Sequence, residues 1–293
     1  MPSLASRLAA LAYRFTGALA PEAVAEALAR RFVTPRRRRA LHPTLPTGDL
    51  GRLPRARGSV IDGATDLAVW EWGEGPAVLL VHGWEDDHHA LASFVPALLD
   101  RGFRVVAFDL PAHGASSGRL ATVPHFAEAI ERVRNAKGPF VGAIGHSMGA
   151  LSLAFAHATR LDLGRLVLIA TPHDAASVAR HVARRIGFGG EFTLRFLGAI
   201  SRLAGFPIGG VNFDNLGRRA TAEALFLHGT GDRVTPMADA LVNAKAWPGA
   251  SLRLADGAGH RGILTDAAAI AAAIAHIAEA PELDCRVALL GAA

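Results

Sequence analysis

Residues 138–152 read GPFVGAIGHSMGALS: an apolar run stops at Ser147, which stands between Gly145 and Gly149, and an alanine- and leucine-rich stretch follows. A serine at such a junction commonly caps a helix. The glycines two positions before and two after it point to something stricter. A hydroxyl exposed for attack has to sit on a very tight strand-to-helix turn, where side chains at the flanking positions would collide. Gly145 and Gly149 thus have a steric reason to lack one.

This G-x-S-x-G spacing is that of a nucleophile elbow, and it sets conditions elsewhere in the chain. A serine hydroxyl is a poor nucleophile at neutral pH and needs a base within hydrogen-bonding reach. An acid and then a histidine should follow it, each just past a strand. The stretch ALFLHGTGDRVTP places Asp232 after one strand-like run, and SLRLADGAGHRGIL places His260 after the next. A tetrahedral intermediate also needs two N–H donors. One is expected from Met148, directly after the serine. The other is expected from the loop after an earlier run, AVLLVHGWEDD, at His82-Gly83-Trp84.

Around these motifs, short apolar and β-branched runs alternate with alanine-rich stretches of helical length: LAVWEW, AVLLVHG, RVVAFDLP, FVGAIGHS, RLVLIATP, ALFLHGTGD and SLRLADG. The alternation predicts a mainly parallel sheet with helices on both faces. The interval His173–Glu223 is far longer than an ordinary connection. It carries Phe188, Phe192, Phe196, Phe206 and Phe213, and reads as short helices placed above the strand ends, where ligands bind in such sheets.

A chain of 293 residues, 51% hydrophobic, is long enough for one large core. Its 31 basic and 26 acidic residues leave a formal charge of +5, and much of the excess lies in the run Arg36 to Arg39. Nucleic acid is therefore not indicated as a partner. A single cysteine, Cys285, excludes an intramolecular disulfide and fits a reducing compartment. No apolar run reaches the ~18 residues of a membrane span. Arg14 and Pro21 spoil the N-terminus as an export signal, so the expected location is cytoplasmic.

Taken in order, HGW, DLPAHGASSG, GHSMG, HGTGDRVTP and GAGH resemble the signatures of the α/β-hydrolase family over roughly Ser59 to Ala280. The resemblance implies an α/β-hydrolase fold: an eight-stranded, mostly parallel sheet with an antiparallel second strand, flanked by helices, and a helical cap after the sixth strand. The cap corresponds to residues 173–223 of a domain at 58–293. It further implies Ser147 as nucleophile, Asp232 as acid, His260 as base, and the main chains of Trp84 and Met148 as the oxyanion hole, with no cofactor. Asp174, after the sixth run, stands where some members place the acid.

Other candidates have plainer readings. His82 and His113 are expected to brace loops, Asp109 to end its strand, and His146 to pack beside the serine. The cluster Glu85, Asp86, Asp87, His88, His89 lacks the i, i+4 histidine pair of a zinc helix and reads as a solvated helix start, so no metal is expected. Met237 and Ala267 to Ile277 read as core-facing helix. Residues 1–57 form a basic arm: Leu4, Leu8, Leu11, Phe15 and Leu19 recur at helical spacing, and Pro21 opens a second helix with Val24, Leu28 and Phe32. Packing of this arm on the main domain is favoured over peripheral contact with a membrane.

The expected activity is that of a serine hydrolase acting on a small-to-medium apolar ester, thioester or lactone. Phe192 and Phe196 of the cap are the expected substrate-binding residues. The same residues on this fold also serve carbon–carbon hydrolases, lyases and perhydrolases. A non-catalytic ligand-binding protein is the alternative of another class.

Overall fold

The computed structural model describes residues 20–36 and 56–279. The first helix of the arm, Arg37 to Arg39 and Cys285 lie outside them. A helix α1 (Pro21–Phe32) precedes an eight-stranded sheet in the order β1-β2-β4-β3-β5-β6-β7-β8. The strands are β1 (Arg57–Ile61), β2 (Leu67–Trp72), β3 (Ala77–Val81), β4 (Arg104–Phe108), β5 (Phe140–His146), β6 (Arg165–Ile169), β7 (Ala224–Gly229) and β8 (Ala250–Ala255). β2 runs antiparallel to both neighbours and every later pair is parallel.

Seven of these strands coincide with the apolar runs of the sequence. β1 does not, because RGSVI is an edge strand with little to bury. The central strands β3 and β5 are buried throughout, as strands covered on both faces must be. In β3 the side chains alternate: Leu79 and Val81 enter one core, Val78 and Leu80 the other. The first core is covered by α3 (Val123–Lys137), α4 (Met148–Ala158) and α8 (Met237–Ala246), with Trp247 wholly buried behind the last. The second is covered by α2 (Phe94–Leu99) and α9 (Ala267–Ala278), through Phe94, Leu98, Ile274 and Ile277. α9 faces the core as expected, but Met237 is 40% exposed, because it opens α8 on the solvent side.

Between β6 and β7 the chain leaves the sheet to build α5 (Ala175–Arg185), α6 (Gly190–Ala204) and α7 (Phe213–Leu216). Asp174 caps α5 by accepting the Ser177 N–H, and Gly205, at φ 64°, ends α6 in the left-handed conformation that glycine adopts freely. These helices are longer than the short pieces suggested by the sequence. α1 packs on α6 through Val24, Leu28 and Ala29, so the arm's second helix lies on the cap. No helix among the described residues is long and apolar enough to cross a membrane.

Candidate active site

The end of β5 determines the site. His146 is the last strand residue, α4 begins at Met148, and Ser147 between them sits at φ 54°, ψ −121°. A non-glycine residue with positive φ is held there by its surroundings against a steric cost. The Ser147 N–H donates to the Ile169 carbonyl across 2.8 Å, and the Ser147 carbonyl accepts the Leu151 N–H at 3.1 Å. Crowding explains both glycines, although not by mutual collision. A Cβ on Gly149 would lie 2.1 Å from the His82 carbonyl oxygen, and one on Gly145 would lie 2.8 Å from Ala150 Cα. The elbow is thus packed against the end of β3 on one side and its own helix on the other.

β7 and β8 bring the other two residues. The Nε2 of His260 lies 3.1 Å from Ser147 Oγ, and its Nδ1 lies 2.7 Å from Asp232 Oδ2. The other oxygen of Asp232 accepts the N–H groups of Val234 (2.7 Å) and Thr235 (2.9 Å). Burial pushes the Asp232 carboxyl upward, but the bonds from His260, Thr235 and Val234 outweigh it and hold the group below the ordinary carboxylate range. Asp232 therefore stays ionised against the imidazole. Asp174 does not reach this histidine: its carboxylate is engaged by Ser177 and by Arg180 at 3.1 and 3.2 Å.

The turn after β3 passes directly over the serine. A Cβ on Gly83 would lie 3.2 Å from Ser147 Cβ. His82 fixes this turn by donating from Nδ1 to the Gly83 carbonyl (2.7 Å) and accepting the Leu110 N–H at Nε2 (2.9 Å). His113 does the same one layer out, accepting the Glu85 N–H (3.1 Å) and donating to the Pro111 carbonyl (2.9 Å). Burial lowers the pKa of both histidines, that of His113 to about 4, so both are neutral braces. Trp84 and Met148 line the same cavity as Ser147. As the first residue of α4, Met148 has no carbonyl of its own helix to receive its N–H.

Asp109 follows β4 directly and accepts from the His88 main chain (2.8 Å), His88 Nδ1 (2.9 Å) and Ala115 N–H (2.7 Å). The cluster at 85–89 is a helix start, but not a solvated one. Asp86 and Asp87 are both buried, Asp87 accepts the His89 N–H at 2.9 Å, and Arg261 Nη1 lies 2.9 Å from Asp86 Oδ2. Donor atoms of Asp87, His88 and His89 approach within 4.8 Å of one another, yet His88 is already bonded to Asp109 and His89 to Asp87.

A cavity of about 890 Å³ lies between the cap and Ser147. Its wall corrects the expectation for the cap. Phe192 and Phe196 do not line it; Phe192 stacks on Phe188 at 3.8 Å, and Phe196 packs edge-on against Phe32 of α1 at 5.7 Å. The cap has two apolar faces, and the one rich in phenylalanine is the one that α1 covers. The inward face presents Val178, Val182, Ile200 and Phe206, with Arg184 and Arg185 beside them and Arg233 across the opening. Val178 and Val182 stand at i, i+4 on α5, which is the signal in the sequence that marks this face.

The α/β-hydrolase fold model matches residues 76–189, which hold β3 to the start of the cap. Among solved structures, Est1E from Butyrivibrio proteoclasticus with ferulic acid bound superposes with a TM-score of 0.62 at 20% identity, over 75% of this chain and 100% of that one. The chain has the α/β-hydrolase fold. Among curated proteins it is 34% identical over 114 residues to a human serine hydrolase-like protein, covering 36% of this chain and 56% of that one. It is 28% identical over 246 residues to the pimeloyl-[acyl-carrier protein] methyl ester esterase of Xanthomonas campestris pv. campestris, covering 69% and 94%. The serine hydrolase-like matches span 26% to 56% of those relatives' lengths.

Proposed function

We propose that this α/β hydrolase is a serine hydrolase that cleaves a carboxylic ester or thioester through an acyl-enzyme. The observation that carries the reading is the hydrogen-bonded series from Asp232 through both nitrogens of His260 to an oxygen held on a strained turn. In this reading Ser147 Oγ attacks the carbonyl carbon while His260 Nε2 takes its proton, and Asp232 stabilises the imidazolium. The N–H groups of Trp84 and Met148 receive the oxyanion, at about 3 kcal/mol each. His260 then gives the proton to the departing alcohol or thiol. Water, deprotonated by the same nitrogen, releases the acid and restores Ser147.

The cavity supports an acyl group of small to medium size, because its walls near α5 and α6 are apolar. Its mouth favours a substrate that also carries an anion. On α5 and α6 each arginine turned away from the cavity has a carboxylate: Arg180 with Asp174, Arg195 with Glu191 and Glu22, and Arg202 with Glu26. No such partner is found among the described residues for Arg184, Arg185 or Arg233. A methyl ester borne on an acyl-carrier protein, as the name of the Xanthomonas relative gives it, is one substrate to set against such a mouth. The test is exposure of the purified protein to a fluorophosphonate and to 4-nitrophenyl esters. Uptake of one phosphonyl group with loss of ester hydrolysis is expected. Failure to label and to hydrolyse any ester would leave a ligand-binding protein instead.

A further inference from the structure

The family match begins at residue 76, yet the cavity wall includes Phe32 and Val33, at the end of a helix that precedes the sheet. Phe32 is held between two layers. Its ring stacks on Trp84 with centroids 6.3 Å apart and planes 19° from parallel, and it meets Phe196 of α6 edge-on at 5.7 Å. The segment around it is tied down on three sides. The Val33 carbonyl accepts the Ala121 N–H at 2.8 Å, and the Arg36 N–H donates to Glu85 Oε1 at 3.0 Å, one residue past Trp84. Along the helix, Glu26 pairs with Arg202 of the cap at 3.0 Å.

An aromatic side chain clamped by two other rings has little freedom to move aside, and stacked pairs of this kind favour one arrangement. Phe32 is only half-buried, so part of its surface is presented to the cavity rather than consumed in packing. We propose that α1 is a fixed wall of the substrate cavity and that Phe32 is a specificity residue, limiting the bulk of the substrate group that lies beside Trp84. The inference rests on the reading of Ser147 as nucleophile. It differs from a purely bracing role for α1 in one respect. If α1 only braces the cap, trimming any of its packed side chains should act alike.

Leu28 supplies the comparison, because it is buried against the cap but does not line the cavity. The experiment measures kcat/KM of the full chain, Phe32→Ala, Phe32→Leu and Leu28→Ala for the 4-nitrophenyl esters of acetic and cyclohexanecarboxylic acid. Phe32→Ala should raise the cyclohexanecarboxylate-to-acetate ratio about tenfold, Phe32→Leu less, and Leu28→Ala by under about twofold. Should Phe32→Ala not fold, Phe32→Leu against Leu28→Ala decides the matter in the same direction. An unchanged ratio in the Phe32 variants, or an equal shift in Leu28→Ala, overturns the wall while leaving the nucleophile standing, provided the wild type still takes up fluorophosphonate at Ser147. A wild type that takes up none overturns both.

Discussion

His146 Nε2 donates to the main-chain carbonyl of His260 across 2.9 Å, so the residue just before Ser147 holds the loop that carries the facing imidazole. Their rings lie 4.7 Å apart. Burial, reinforced by the nearby His260, lowers the pKa of His146 to about 3. His146 is therefore a neutral donor at any working pH.

That state makes stability depend on pH. His146, His82 and His113 all have folded pKa values below the unfolded value of 6.5. Below that value the unfolded chain binds protons that the folded chain refuses, so stability is full above pH 6.5 and falls as the pH drops toward about 4. His113 and His146 each contribute a slope of about 1.4 kcal/mol per pH unit within that window, and His82 acts in the same direction. Urea unfolding at pH 7.5, 6 and 5 should show the decline, and His146→Gln should remove about one proton from its slope. A profile flat from pH 7.5 to 5 would contradict the neutral, buried assignment.

The two acidic candidates separate cleanly. Asp232→Asn should lower kcat by about four orders of magnitude with KM nearly unchanged, because the histidine's tautomer fails rather than binding. Asp174→Asn keeps a capping side chain and loses only the pairing with Arg180, so it should cost tenfold or less in kcat. Steady-state kinetics on both variants decides. The reverse ranking would move the acid to Asp174.

Phe196 is 2% exposed and turned away from the cavity. Phe196→Ala should destabilise the chain by about 3 kcal/mol and leave selectivity among short esters almost unaltered. Val182→Ala, on the inward face, should do the opposite: little loss of stability and a shift in the relative kcat/KM of short and longer acyl chains. Thermal melts and a chain-length series distinguish the two. A chain-length shift in Phe196→Ala alone would restore it to the cavity.

The arginines at the mouth predict a preference for anionic esters. For a 4-nitrophenyl half-ester of a dicarboxylic acid against its methyl-capped analogue, Arg184→Gln and Arg233→Gln should each lower the kcat/KM ratio several-fold. Raising the salt concentration should narrow the wild-type ratio as well. Equal rates for charged and capped esters in the wild type would remove the anion from the proposed substrate.

Much of the site was legible because its parts are local. Ser147, Asp232 and His260 each follow an apolar run closely, and strand order brings such loop starts to one edge of a parallel sheet. The sheet itself showed in runs such as AVLLV and ALFLHG, buried on both faces. β1 was not read from its residues, since an exposed edge strand lacks that pattern. The cap misled for a different reason. On α6, Phe192, Phe196, Ile200 and Ala204 follow one another at i, i+4 along one apolar stripe, of which Ile200 and Ala204 reach the cavity and the phenylalanines pack with Phe188 and α1, and periodicity reports that a face is apolar without saying what covers it. The covering element, α1, lies more than a hundred residues away in sequence, so Phe32 at the cavity could not be foreseen.

In the proposed mechanism Ser147 carries the acyl group between the two half-reactions. Rapid quenching of the enzyme with a 4-nitrophenyl ester, followed by intact-mass measurement and peptide mapping, tests it directly. The expected result is an added mass equal to the acyl group, located on the peptide that contains Ser147 and absent from Ser147→Ala, whose kcat should fall by at least about four orders of magnitude with the fold intact. An acyl group found on another residue, or turnover undiminished in Ser147→Ala, would contradict it.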